Sequence, residues 1–274
     1  MQTKKLFFPT DFTEQSIDAL GQTIQFVQGL EYDIYLFHAF SRPFSKGSNT
    51  DYQNKVDLER LEENIDNKIQ DLIEKVPLLK KTNYQVVKKI GPSIETIIDT
   101  IVEVSPDLVV MGTKGASGSG EIWGTKTAKI IKSVNIPVIV IPPNTKLSSI
   151  NKIGLACDYS ENTTFAKLDF LIKLVDKQGM ELHIITLNRQ EKTMTRLEKA
   201  NRDHVLELLK DNTVKTSFIN HPNERKGLVD YCEEHGIGMI SVLPKSYNFI
   251  ERIFHDSLTM RMAFQCPIPM LVLK

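Results

Sequence analysis

Short apolar runs alternate along the chain with segments whose apolar residues recur every three or four positions. In the first of these segments Ile17, Leu20, Ile24 and Val27 lie on one stripe, which predicts an amphipathic helix. The run that follows, Tyr32–His38, has the apolar character of a strand. Strands that alternate with amphipathic helices predict a parallel sheet that helices cover on both faces.

The same alternation continues through the first half of the chain. Val86–Ile90 is predicted to be the third strand, and a helix over Ser93–Val104 follows because proline at position 92 favours a helix start. This helix is expected to stop before the Ser-Pro pair at 105–106. Leu108–Met111 and Val138–Ile141 are fully apolar, which is typical of buried parallel strands.

The pattern then occurs a second time, so the chain contains an internal repeat. Each copy opens with a short apolar run that ends in an aspartate and an aromatic residue. The second copy is about 15 residues shorter, and we place the difference in the polar segment from Ser41 to about Leu61. The matching segments are Lys5–Phe12 with Lys152–Tyr159, Tyr32–His38 with Met180–Thr186, and Ser133–Ile141 with Phe264–Leu273.

A turn-rich linker, Pro142–Ser149, separates the copies. The sequence therefore predicts two tandem, doubly wound, Rossmann-like α/β domains with parallel sheets, over residues 1–145 and 150–274. The last apolar strands, Pro137–Ile141 and Pro269–Leu273, need cover on their exposed edges. We therefore expect the copies to pack on each other about a pseudo-twofold axis as an intrachain pseudo-dimer, and further homodimerisation stays open.

Composition and charge exclude several classes of function. Lys+Arg and Asp+Glu are both 34, and residues 1–146 hold 17 of the first and 18 of the second. This balance argues against a nucleic-acid partner or an acidic membrane surface. No apolar run has the length of a membrane span or of a signal peptide, so the chain is predicted to be cytoplasmic. Its three cysteines are far apart, which indicates neither a disulfide framework nor a metal site.

The candidate chemistry lies in a loop after the strand Leu108–Met111. Five glycines occur between Gly112 and Gly124, and a predicted helix follows. Glycine-rich backbone that leads into a helix N-terminus suits phosphate, because backbone N–H groups can approach the anion and the helix dipole favours it. Thr125 and Thr127 add hydroxyl donors and Lys126 adds positive charge. The alternative is a flexible surface turn, and no Walker A motif is present.

Taken together, these segments resemble the universal stress protein family over essentially the whole chain. Nucleotide-binding members carry the motif Gly-x2-Gly-x9-Gly-(Ser/Thr), and here eight residues rather than nine separate the last two glycines. The resemblance implies an adenine nucleotide alpha hydrolase-like fold. It rests on Pro9-Thr10-Asp11-Phe12, Gly91-Pro92-Ser93, Gly112, Gly115, Gly124-Thr125 and Ile136–Val140.

The resemblance also implies a site for ATP, with or without Mg²⁺, in the N-terminal domain. The base and the ribose would contact Pro9, Thr10, Asp11 and Ala39. The ribose and the phosphates would contact Met111, Gly112 and Gly115, and the phosphates would also contact Gly124, Thr125, Lys126 and Thr127. The alternative for Asp11 is the N-cap of the following helix.

The second copy does not keep this loop. Val242–Ser246 stands where the first copy has Met111–Gly115, and Asp256-Ser257 replaces Gly124-Thr125. Side chains would crowd the backbone there, the proline at 244 lacks an N–H, and the aspartate would repel a phosphate. The sequence thus predicts one nucleotide per chain.

The function expected from these features is a regulatory or protective stress-response protein that binds adenine nucleotide and acts with protein partners. No residue has the position of a general base for hydrolysis. Two alternatives stay open: a protein-interaction module that no longer binds nucleotide, and a slow ATPase.

Overall fold

Contacts within the chain divide it into two compact units, unit 1 (Met1–Gly112) and unit 2 (Thr113–Lys274). The predicted boundary between the repeats, at residues 145–150, is a different division, and it stays a prediction. The structure is a computed structural model that describes residues 3–41, 51–113, 125–159, 167–188, 190–243 and 268–274.

Unit 1 has a parallel sheet whose strand order is β3-β2-β1-β4. From β1 the chain goes first to β2 and β3 on one side and then to β4 on the other. The strand order therefore reverses between β1 and β4, which is where ligands bind in sheets of this kind. The elements are β1 (Lys4–Pro9), α1 (Glu14–Phe26), β2 (Tyr32–Phe40), α2 (Asp51–Lys75), β3 (Tyr84–Ile90), α3 (Ser93–Val104) and β4 (Leu108–Gly112).

The core of unit 1 lies around β1. Leu6, Phe7 and Phe8 are fully buried, as expected for a central strand with helices on both faces. The ring of Phe7 packs against that of Phe37 on β2, with centroids 5.2 Å apart. The predicted stripe of α1 forms the inner face of that helix.

Unit 2 has a sheet with the order β5-β10-β9-β6-β7-β8. Its strand pairs are parallel except for β5 with β10, which are antiparallel. The last strands of the two repeats therefore pair with each other, Val138 opposite Val272. The elements are α4 (Thr125–Ser133), β5 (Val138–Ile141), β6 (Lys152–Ala156), α5 (Leu168–Gln178), β7 (Glu181–Leu187), α6 (Arg196–Leu208), β8 (Val214–Ile219), α7 (Glu224–His235), β9 (Met239–Val242) and β10 (Met270–Val272).

Backbone conformation supports the repeat that the sequence predicts. Left-handed residues occur at corresponding places in both copies: after the first strand, before the second strand and at the end of the third helix. The second helix accounts for most of the difference in length, because α2 has 25 residues and α6 has 13. The left-handed pairs are Phe12 with Tyr159, Glu31 with Gly179, and Ser105 with Gly236.

Among the described residues, no helix has both the length and the apolar character that crossing a bilayer requires.

Candidate functional site at the strand ends of unit 1

Most of the predicted base-side residues lie at the carboxyl ends of β1, β2 and β4. Pro9 ends β1 and Ala39 lies near the end of β2, and both are half-buried. Asp11 is exposed in the turn after β1, whereas Met111 is buried in β4 next to Gly112. The fold therefore brings these residues to one edge of the sheet of unit 1, at the point where its strand order reverses.

Thr10 holds the turn between β1 and α1. Its backbone N–H donates to the carbonyl of Phe37 at 2.8 Å. Its buried hydroxyl oxygen accepts from the N–H of Phe12 at 3.1 Å and from the hydroxyl of Ser16 at 3.0 Å. The side chain of Thr10 thus orders the turn from inside.

Asp11 supports the helix cap but is not the cap itself. The N-cap of α1 is Thr13, whose hydroxyl accepts from the N–H of Ser16 at 3.3 Å. The Asp11 Oδ1 atom in turn accepts from the backbone N–H and the hydroxyl of Thr13, at 3.1 and 2.6 Å. The alternative that made Asp11 the N-cap is therefore wrong, because α1 begins two residues later than that interpretation requires. The exposed carboxylate is held in place beside the strand ends.

His38 is a residue of this edge that the sequence interpretation left without a role in the site. Its Nδ1 lies 2.8 Å from the carbonyl oxygen of Thr10, and since a carbonyl only accepts, Nδ1 carries the hydrogen. The ring contacts that of Phe12 at a centroid distance of 4.4 Å and lies nearly parallel to that of Phe40. Burial, assisted by Lys68, lowers the pKa of His38 although Thr10 and Asp11 act in the opposite direction.

The sequence did contain a signal for His38. A polar aromatic residue at the end of a buried strand, beside the small Ala39, is unusual for a residue that only fills the core.

Gly112 is required by packing. A Cβ built there would lie 2.9 Å from the Cβ of Ala19 and 3.6 Å from the backbone oxygen of Gln15. The absence of a side chain thus lets α1 lie close against β4. This explains the glycine without a ligand, so its predicted role beside the phosphates stays a prediction.

The model of the Universal stress protein family matches residues 2–142, slightly more than half of the chain. The chain belongs to the universal stress protein family. No curated protein matches it.

Solved structures resemble this universal stress protein over its whole length. A universal stress protein from Archaeoglobus fulgidus has a TM-score of 0.75 at 17% identity, with 100% of this chain and 97% of that chain covered. A putative universal stress protein from Pseudomonas aeruginosa has a TM-score of 0.61 at 10% identity, with 99% and 93% covered. At such identities the likeness shows the fold, which is α/β and adenine nucleotide alpha hydrolase-like.

The glycine loop of this universal stress protein is described only in part. Gly115 and Gly124 lie outside the described residues. The helix that the sequence predicts after the loop is α4, which begins at Thr125 and includes Lys126. The side chain of Thr127 is buried. In the part of the chain that the structure describes, no group of three or more His, Cys, Asp and Glu side chains could hold a metal ion.

The second repeat has a closed arrangement at the corresponding strand ends. Tyr159 stands where the first repeat has Phe12, and Thr186 stands where it has His38. Tyr159 and Thr186 are each only 1% exposed, and a hydrogen bond joins their side chains. Burial raises the pKa of Tyr159 well above its usual range. The carbonyl of Tyr159 also accepts from Asn201 Nδ2 at 2.9 Å.

Proposed function

We propose that this universal stress protein binds one adenine nucleotide per chain in its first repeat, and that it is a regulatory or protective protein rather than an enzyme. The observation that carries the proposal is the contrast between the repeats. Phe12 and His38 are half-buried with a ring contact between them, whereas Tyr159 and Thr186 are sealed. A planar base needs an apolar surface that it can reach, and of these two described residue pairs only Phe12 and His38 present one.

The base and ribose side of the proposal rests on unit 1. The rings of Phe12 and His38 offer apolar faces, and the small Ala39 leaves room beside them. In the second repeat Leu187 stands at the position of Ala39. The exposed carboxylate of Asp11 can accept hydrogen bonds from ribose hydroxyls, as acidic residues do in other nucleotide sites.

The phosphate side of the proposal rests on the sequence. The loop between Gly112 and Gly124 leads into a helix, and the N-terminus of a helix attracts anions. Thr125, Lys126 and Thr127 add hydroxyls and positive charge, which favours ATP, with or without Mg²⁺, over adenosine. Pro244 and Asp256 at the corresponding places of the second repeat disfavour a second phosphate site.

Titration calorimetry with ATP tests the proposal through stoichiometry. We expect a value near one for the purified chain. Substitution Gly115→Val should abolish binding, and the matched control Ser246→Val, at the corresponding position of the second repeat, should leave it unchanged. Gly112→Val is not a suitable probe, because its side chain would clash with Ala19 whether or not a ligand binds.

Three outcomes contradict the proposal. A stoichiometry near two would show that the second repeat also binds. Binding that survives Gly115→Val would remove the role of the glycine loop. If ATP gives no heat and no nucleotide is found by mass spectrometry of the denatured protein, the chain is an interaction module instead.

A further inference from the structure

A chain of polar side chains crosses the contact between α7 and the sheet of unit 2. Glu181 and His183 lie on β7, Ser217 lies on β8, and Tyr231 lies on α7. His183 is fully buried in the middle of this chain. The nucleotide site proposed above uses none of these residues.

The hydrogen bonds that link these four side chains all run in one direction, with each donor on the Ser217 side and each acceptor on the Glu181 side. His183 Nε2 lies 3.0 Å from Glu181 Oε1, and His183 Nδ1 lies 3.0 Å from the hydroxyl oxygen of Tyr231. That hydroxyl oxygen lies 2.8 Å from Ser217 Oγ. A carboxylate only accepts, so a neutral His183 carries its hydrogen on Nε2 and must accept at Nδ1. Tyr231 therefore donates to His183, and Ser217 donates to Tyr231.

Charged and titratable groups surround His183 from each neighbouring element. On β8, Lys215 Nζ lies 2.6 Å from the Glu181 oxygen that accepts from His183. On α7, the ring of His235 stacks on Tyr231 at 3.9 Å and lies 5.8 Å from that of His183. On β6, Lys152 Nζ donates to the carbonyl of His235 at 3.0 Å.

We propose that this chain is a pH-responsive element that reverses its direction when His183 takes up one proton from water at Nδ1. The imidazolium then donates to the Tyr231 oxygen, and the Tyr231 hydroxyl turns to donate to Ser217. No heavy atom needs to move, and the hydrogen of the half-buried Ser217 hydroxyl turns away. The protonated form keeps its hydrogen bonds but places a positive charge under α7.

The sign of the effect follows from the position of His183. Burial, followed by the smaller repulsion from Lys215 and His235, lowers the pKa of His183 from its ordinary value of 6.5, although Glu181 raises it. The unfolded chain then binds more protons than the folded chain as the pH falls below about 6.5. The contribution of His183 to stability is therefore complete above that pH. It is lost progressively between pH 6.5 and the lower pKa of the folded state.

Nitrogen-15 NMR of histidine-labelled full-length protein tests the direction of the hydrogen bonds at His183. We expect the Nε2–H tautomer for His183 at pH 8. The Nδ1–H tautomer would overturn the proposal, and this measurement needs no variant.

The reversal is tested by Ser217→Ala. This change removes the acceptor that the Tyr231 hydroxyl needs only in the protonated state, so the acid dissociation constant of His183 should rise about three- to tenfold. The matched control is Thr216→Ala, because Thr216 is an exposed neighbour on the same strand, and it should leave the titration unchanged. Equal titration curves for the two variants would overturn the reversal.

Discussion

An added methyl group should have opposite effects on the free energy of unfolding at two glycines, one at the end of β4 and the other within α1. Gly112 ends β4 and faces α1, where a Cβ would lie 2.9 Å from that of Ala19. Gly21 lies within α1, and its nearest neighbour in such a test is Val76 Cγ1 at 3.9 Å. Gly112→Ala should lower the free energy of unfolding by about 1–3 kcal/mol through overpacking. Gly21→Ala should leave it unchanged or raise it by up to about 1 kcal/mol.

Urea unfolding of the two variants measures both values. Ala19→Gly should recover part of the loss when it is combined with Gly112→Ala, because the two methyl groups compete for one space. If the losses of Ala19→Gly and Gly112→Ala simply add, the close approach of α1 to β4 is not the reason for this glycine.

For single residues of the candidate site, the sequence predicted which of them lie together but not the role of each one. Pro9, Asp11 and Ala39 do lie at one sheet edge, since parallel strands align their carboxyl ends. The sequence could not assign the N-cap, because Asp11 and Thr13 are both good caps two residues apart. The contact of Gly112 with Ala19 could not be foreseen either, because helix–strand packing distances are not encoded in a local pattern.

Helices were predictable where strong local signals mark their ends. The bounds of α3, Ser93–Val104, are those predicted from the prolines on either side, and β5 is likewise Val138–Ile141 as expected. The antiparallel direction of β5 and β10 is not encoded in the pattern of either strand alone, since an apolar strand has the same pattern in either direction.

The helices α3 and α7 end in the same backbone conformation but in different residue types, so that two substitutions can be compared. Both helices end in a left-handed residue, Ser105 at φ +49° and Gly236 at φ +66°. A Cβ on Gly236 would meet no atom within 4 Å, so Gly236→Ala adds backbone strain alone. It should lower the free energy of unfolding by about 1–2 kcal/mol.

The reciprocal change Ser105→Gly removes that strain but also removes the hydrogen bond from Ser105 Oγ to the carbonyl of Val102. We expect a much smaller change, of about zero to 1 kcal/mol, in the stabilising direction. Thermal unfolding of both variants gives the comparison. A loss in Ser105→Gly as large as that in Gly236→Ala would contradict the assignment of these residues as strained caps.

For the molecule as a whole, β10 decides how the sheet of unit 2 is completed. Leu271 is fully buried and pairs with Ile139 on β5 and with Ser241 on β9. In a strand that pairs on both sides, every backbone N–H group donates a hydrogen bond to a neighbouring strand. Because proline has no N–H, Leu271→Pro should remove one of these hydrogen bonds. We expect the free energy of unfolding to fall by about 3 kcal/mol. Pro269→Ala, just before the strand, serves as the control.

The loss of β10 would also expose the apolar edges of β5 and β9. Unpaired apolar edges recruit strands from other chains, so Leu271→Pro should form more high-mass species in light scattering after chromatography than Pro269→Ala. The pairing of the last strands of the two repeats would then be what protects both edges. A Leu271→Pro variant with the melting temperature and the mass of the control would show instead that the two repeats complete their sheets independently.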